Sequence, residues 1–119
     1  MVNLFDVAAR HMAGPFEWGV RDCAISACAA FAEVTGVDVL AQFRGRWCGP
    51  VSAARLIRRA GGLAAMARAA GLVPGQGGLA EYDGAIVFGV GPGVWAGKGR
   101  FGMVLIRKEL GGWVCHKSA

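Results

Sequence analysis

The chain has 119 residues, 55% of them hydrophobic, and a formal net charge of +5 that is carried mostly by arginine. This length supports one domain with a single core, and the apolar content excludes an intrinsically disordered chain. Arg, Glu or Gly residues interrupt the longest apolar runs, so the sequence predicts no membrane span.

Three classes of protein are disfavoured by local features of the sequence. The amino terminus has no basic segment followed by an apolar stretch, so we expect no signal peptide and synthesis in a cytoplasm where cysteines stay reduced. A basic charge of this size is more typical of a solvated surface than of a nucleic-acid partner, and no nucleic acid is expected. The glycine-rich run at 71–78 lacks the Lys-Ser/Thr of a phosphate loop, so no nucleotide cofactor is expected either.

The first 72 residues predict helices. An amphipathic pattern indicates a short helix at 3–13. The Ala-rich apolar run that follows Asp22 predicts a buried helix at about 22–35, with Asp22 as its N-cap and glycine as its stop. Two further helices are predicted at 51–60 and 63–70, each ended by glycine.

The remaining residues predict strands. Apolar runs at 85–90, 102–108 and 113–117 indicate three antiparallel strands. Residues 73–84 are predicted to be a glycine-rich connection and 94–101 a loop. Helices followed by an antiparallel meander predict one α+β domain at 1–119, with a helical part at 1–72 and a strand part at 85–117.

Cys23 is the main candidate for a reactive, catalytic residue. It lies in the first turn of the predicted buried helix, where the helix dipole and free N–H groups favour a thiolate. The alternative is a small buried residue at a helix start. The other cysteines give the spacings Cys23-x4-Cys28, then Cys48, then Cys115, which match no known zinc pattern but leave a metal or iron–sulfur site open.

The order of these features resembles the NlpC-type papain-fold cysteine peptidases, which cleave peptide stems of the bacterial cell wall. Within that group the chain is similar to a short phage-encoded subgroup of unknown function found among tail genes. The resemblance covers about residues 15–72 well and the strand half weakly. It is carried by Phe16-x-Trp18-Gly19-x-x-Asp22-Cys23, Thr35-Gly36-x-Asp38, Phe43-Arg44-Gly45-Arg46-Trp47, Ala54-x-Leu56 and Gly61-Gly62-Leu63.

The resemblance implies roles for three residues. Cys23 stands at the nucleophile position, and Arg100 stands where the second strand of the family usually begins with a histidine. His116 matches a polar orienting position on the third strand. Arginine cannot release its proton near neutral pH, so the general base is lost unless His116 replaces it from the neighbouring strand.

The leading hypothesis is therefore a phage or prophage tail-tip or baseplate assembly protein with a degenerate, papain-like NlpC fold. Its expected location is the virion, after synthesis in the host cytoplasm, and its expected partners are other tail or baseplate proteins. One alternative is an active peptidase that cleaves peptidoglycan with Cys23 and His116. A second alternative is a baseplate component that binds a metal or an iron–sulfur cluster.

Four residues are candidates for a protein interface. Arg44, Arg46 and Trp47 lie in a basic-aromatic loop, and Trp95 lies in a glycine-rich segment that we expect to be exposed and mobile. The alternative for the two arginines is an ion pair or hydrogen bond with the chain's own carboxylates or carbonyls. The alternative for Trp95 is that it covers the protein's own sheet.

Overall fold

The computed structural model describes residues 2–115. The helices within this range lie close to their predicted positions. They are α1 (Leu4–His11), α2 (Cys23–Thr35), α3 (Pro50–Ala60) and α4 (Leu63–Ala69). None of these helices is long and apolar enough to cross a membrane.

Short-range hydrogen bonds define the ends of the first two helices. The side chain of Asn3 accepts a hydrogen bond from the backbone N–H of Asp6 at 3.1 Å, which caps α1. Asp22 caps α2 in the same way, as the sequence predicts. α2 ends at Gly36, whose φ of +79° is a conformation that glycine adopts without strain.

The strands within residues 2–115 form one antiparallel sheet in the order β1-β6-β2-β3-β4-β5. They are β1 (Leu72–Gly75), β2 (Leu79–Tyr82), β3 (Ala85–Gly91), β4 (Val94–Lys98), β5 (Met103–Arg107) and β6 (Gly112–Cys115). The molecule is thus an α+β domain, as predicted.

The predicted arrangement of strands is wrong in two respects. The segments predicted to be a connection at 73–84 and a loop at 94–101 contain β1, β2 and β4. The three predicted strands are therefore not neighbours in a meander, because β4 lies between β3 and β5, and β6 pairs with β1 and β2.

The glycines at 75–78 favour a loop in the sequence-based prediction, but in the structure they permit close packing within the sheet. Gly78 has a φ of +71°, and a Cβ at this position would collide with the carbonyl oxygen of Trp113 in β6. Its own carbonyl accepts a hydrogen bond from the N–H of Gly89 in β3 at 2.8 Å. Gly78 therefore packs against β6 and is hydrogen-bonded to β3.

The helices and the sheet share one main core. α2 packs against β3 and β4, and α1 packs against α2 and β3. Phe31, Phe88 and Met12 are among the largest side chains that are fully buried there. On the opposite face of the sheet, a smaller cluster contains Val87 and Trp95.

The close approach at Gly78 gives a stability prediction. Gly78→Ala adds both a strained φ and a collision with backbone, so we expect a loss of several kcal/mol in the free energy of unfolding. Gly77→Ala is the matched control, because Gly77 also has a positive φ but a Cβ there meets nothing within 4 Å. That variant should lose only about 1 kcal/mol. Urea denaturation measures both, and equal losses would contradict the proposed packing.

Candidate functional site

The segment before α2 folds into a tight turn. Glu17 and Arg21 form an isolated β-bridge, and the N–H of Arg21 donates to the carbonyl of Glu17 at 2.8 Å. Gly19 lies within this turn at a φ of +78°, and a Cβ on it would approach the carbonyl oxygen of Trp47 to 3.1 Å. The turn therefore packs directly on the loop that precedes α3.

Asp22 joins these two segments to α2. The residue is fully buried. Its Oδ1 accepts the N–H of Ile25 at 2.9 Å, and its Oδ2 accepts the N–H of Gly19 at 2.9 Å. Oδ2 also accepts the indole N–H of Trp47 at 2.6 Å. A buried carboxylate is stable only when it is well hydrogen-bonded, and these three donors satisfy it.

Cys23 follows directly as the first residue of α2 and is half-buried. Burial raises the pKa of its thiol, and the negative charge of Asp22 raises this pKa further. The backbone amides of Ile86 and Ala24 act in the opposite direction, but the net pKa stays above the ordinary value. The thiol is therefore protonated at neutral pH, contrary to the thiolate that the helix position predicts.

An apolar cavity of about 170 Å³ lies beside this thiol. Its lining includes Cys23, Trp47 and Ile86, together with apolar side chains of α3. A second cavity of about 250 Å³ adjoins it, and the two share Leu40 and Met66 among their lining residues. The apolar surroundings explain why burial dominates the pKa of Cys23.

The expected general base is not brought to Cys23 by the described residues. His11 lies at the end of α1 and contacts Glu33 of α2 at 2.8 Å. His116, the other histidine of the chain, lies outside the described residues. Within residues 2–115, no imidazole is hydrogen-bonded to the sulfur of Cys23.

Arg100 lies just before β5, the strand predicted at 102–108, but β5 is not a neighbour of β3. The residue lies in the turn between β4 and β5, which is closed by a hydrogen bond from Gly99 N–H to the Gly102 carbonyl at 2.7 Å. Its carbonyl accepts the N–H of Phe16 at 2.8 Å. The strand that follows Arg100 is β5, and β5 is separated from β3 by β4. The predicted meander is therefore wrong at this point, because β4 lies next to β3.

Lys98 is a structural residue that the sequence analysis missed. Its side chain is buried at the end of β4 and donates to the carbonyls of Met12 and Gly14, just beyond α1. Burial lowers the pKa of this amine, and the charge of Arg21 adds to the effect. The burial of Lys98 could have been predicted if 94–98 had been recognised as a strand. Residues two apart in a strand share a face, so Lys98 lies on the same side as the buried Ala96.

The structure corrects two of the four interface candidates. Trp95 is only 3% exposed, and its indole N–H donates to the carbonyl of Lys108 at 3.1 Å. Trp47 is also buried, through its contact with Asp22. Arg44 is exposed but forms an ion pair with Asp38 at 2.7 Å, and Arg46 is exposed. Trp95 and Trp47 are core residues, so they cannot anchor a partner in this conformation.

The four cysteines do not form a metal centre within the part of the chain that the structure describes. No group of three or more potential His, Cys, Asp or Glu ligands comes together in residues 2–115, and Cys23, Cys28, Cys48 and Cys115 are free thiols. Burial raises the pKa of Cys28 to about 12, so this thiol is protonated.

The fold and the site define a small α+β domain with a protonated cysteine at the start of its central helix. The chain belongs to the family described as Domain of unknown function (DUF6950), whose model matches residues 2–99. The match covers all four helices and β1 to β4. No curated protein and no solved structure matches the chain significantly.

The three hydrogen bonds to Asp22 predict an order of stability among variants. Trp47→Phe removes one bond to a buried charged group, which costs about 1.5–3 kcal/mol. Asp22→Asn should lower the free energy of unfolding by more, because the amide NH₂ would then face N–H groups that now donate to a carboxylate oxygen. Asp38→Asn is the control: it disrupts an exposed ion pair and should change the free energy of unfolding by less than about 1 kcal/mol. Urea denaturation measures all three, and an Asp22→Asn loss as small as the control would contradict the network.

The raised pKa of Cys23 predicts slow alkylation near neutral pH. With iodoacetamide at pH 7.5, the exposed Cys48 should react first and Cys23 much more slowly. The rate at Cys23 should keep rising above pH 9, because its thiolate forms at higher pH than an ordinary thiol. Peptide mass spectrometry reports each site. Reaction of Cys23 ahead of Cys48 at pH 7.5 would show an activated nucleophile instead.

Proposed function

We propose that this protein is a non-catalytic, papain-like domain of the NlpC type that acts as an assembly protein of a phage or prophage tail. The non-catalytic part of this proposal rests on the protonation state of the Cys23 thiol. A cysteine peptidase needs a thiolate, or a base that generates one, whereas burial and Asp22 both raise the pKa of this thiol.

The arrangement of elements supports the papain-like part of the proposal. Cys23 begins a central helix, α2, that packs against an antiparallel sheet. Cys23 and Ile86 of β3 line the same cavity, and the backbone amide of Ile86 lowers the pKa of the Cys23 thiol. A cysteine at the start of a helix that faces an antiparallel sheet supports the proposal, although the sheet has more strands before β3 than the sequence predicts.

The cavity beside Cys23 supports a role other than hydrolysis of cell-wall peptides. Peptide stems carry amide and carboxylate groups, and a site that binds them needs hydrogen-bond donors and acceptors. The lining of this cavity is mainly apolar, and Asp22, its one acidic residue, is already bonded to three donors. Such a cavity offers little to orient a peptide bond at the sulfur.

The tail assignment rests on the sequence resemblance at residues 15–72. The structure explains several residues of those motifs as parts of one network, since Gly19, Asp22 and Trp47 contact one another. Asp38 and Arg44 form an ion pair within the same region. The partners that follow from the proposal are other tail or baseplate proteins, and the location is the virion.

An active peptidase remains the second candidate, because one observation favours it. The backbone amides of Ile86, Ala24 and Cys23 each lower the pKa of the Cys23 thiol, and amides placed in this way can also stabilise an oxyanion. In this candidate His116 supplies the base. A metal-binding tail component is the third candidate, and it would need ligands beyond the groups brought together in residues 2–115.

One pair of assays distinguishes the assembly protein from the active peptidase. Purified protein should release no soluble fragments from peptidoglycan, and particles assembled with Cys23→Ser should contain the protein and remain infectious. Cys23→Ser is nearly isosteric, so it tests chemistry rather than packing. Turnover that is lost in both Cys23→Ser and His116→Ala would establish the peptidase instead. Absence of the chain from purified particles would refute the tail assignment.

A further inference from the structure

Strand β5 forms one edge of the sheet and has no neighbour on its outer side within residues 2–115. The opposite edge, β1, contains Pro74, which has no N–H, and α4 packs against it. Proline and a covering helix are two devices by which natural proteins prevent an edge from pairing with another chain. β5 contains no proline.

The register with β4 shows which backbone groups of β5 are free. Gly93 and Lys108 are joined by a hydrogen bond of 2.9 Å, and Gly99 and Gly102 by one of 2.7 Å. Hydrogen-bonded and non-hydrogen-bonded pairs alternate along an antiparallel ladder. Between these two bonds, the hydrogen-bonded pairs of β4 and β5 are therefore Trp95 with Ile106 and Gly97 with Val104. The intervening residues of β5 therefore direct their N–H and C=O groups outward; they are Met103, Leu105 and Arg107.

The side chains along this edge are unusually apolar for exposed positions. Val104 is 50% exposed and Leu105 is 48% exposed, and they point to opposite faces of the sheet. Phe101, at the tip of the β4–β5 turn, is 81% exposed. An exposed apolar edge strand is a known template for strand addition.

The charges around β5 indicate what kind of chain would pair with it. The segment 100–108 carries Arg100, Arg107 and Lys108 and no acidic residue. The ammonium of Lys108 lies back over the ring of Tyr82 in β2, which leaves the two arginines for a partner. The same segment of a second copy would bring no carboxylate to meet Arg100 and Arg107. An acidic chain would gain from the same charges, so complementarity favours a different protein.

We propose that β5 accepts an extended, acidic and apolar segment of a partner protein as a seventh strand. The inference deepens the proposed function, since it assigns the surface through which an assembly partner binds. The partner's backbone would bond to the outward groups of Met103, Leu105 and Arg107. Its apolar side chains would cover Val104 on one face of the sheet, and its carboxylates would meet Arg107 on the other face.

The first test uses an eight-residue peptide in which valine alternates with glutamate and threonine. Its control has lysine in place of glutamate. Hydrogen exchange followed by NMR should show that the acidic peptide protects the amides of Met103, Leu105 and Arg107. The amides of Val104 and Ile106 should change little, because they already bond to β4. Equal protection by the two peptides, or none at millimolar acidic peptide, would overturn the proposal.

The second test uses variants of the edge itself. Leu105→Pro removes the central outward N–H while leaving the bonds to β4, and it should weaken peptide binding roughly tenfold or more. Leu105→Thr is the matched control, because it loses the same side chain but keeps the N–H, and it should bind more tightly than Leu105→Pro. Arg107→Glu should reverse the preference between the two peptides without relying on a proline. Equal binding by Leu105→Pro and Leu105→Thr, with no reversal by Arg107→Glu, would refute strand addition.

Two outcomes separate this inference from the proposed function. If the peptide binds as described but the chain is absent from purified particles, strand addition at β5 is supported and the tail assignment is wrong. If sedimentation shows concentration-dependent self-association that protects the same three amides, a second copy occupies β5 and the proposed acidic partner is wrong.

Discussion

The buried carboxylate of Asp22 is the constraint on which the candidate site depends. A carboxylate removed from water is costly unless hydrogen bonds replace its hydration. Here the replacements come from the start of α2, from the turn at Gly19 and from the indole of Trp47. Because three separate segments donate to one side chain, its position determines where α2 begins and where Cys23 meets the sheet.

The same arrangement decides the chemistry of Cys23. A helix N-terminus stabilises a nearby anion by roughly 0.3–1 kcal/mol, which is less than one pKa unit. Burial can raise the pKa of an acidic group by several units, and the adjacent charge of Asp22 acts in the same direction. Desolvation therefore outweighs the helix dipole. A position that resembles a nucleophile in sequence becomes a packed, protonated thiol in the fold.

The helices and their caps could be predicted because their signals are local. Asp22 and Gly36 act on residues three or four positions away, and both were identified from the sequence. β1, β2 and β4 were missed because glycines lie within or between them, and glycine is ordinarily depleted in strands. The role of these glycines depends on contacts with distant strands, as at Gly78 between β1 and β2. The burial of Trp95 is also a consequence of the missed strand, since a tryptophan placed in β4 has a sheet face to cover.

Within the site, the sequence identified Asp22 and Cys23 but not what surrounds them. Trp47 is 25 residues from Asp22, and nothing in its local pattern indicates that its N–H is needed there. Lys98 similarly acts across 86 residues, on the carbonyl of Met12. Long-range polar contacts of this kind depend on the packing of whole elements, which periodicity and spacing do not describe.

The account requires that Asp22 and Trp47 act as one unit, and a double-mutant cycle measures this most directly. The free energies of unfolding of the wild type, Asp22→Asn, Trp47→Phe and the double variant give the coupling energy of the pair. A direct bond to a buried carboxylate predicts a coupling of about 1.5–3 kcal/mol. A coupling near zero, with the two losses simply additive, would contradict the central role of this contact.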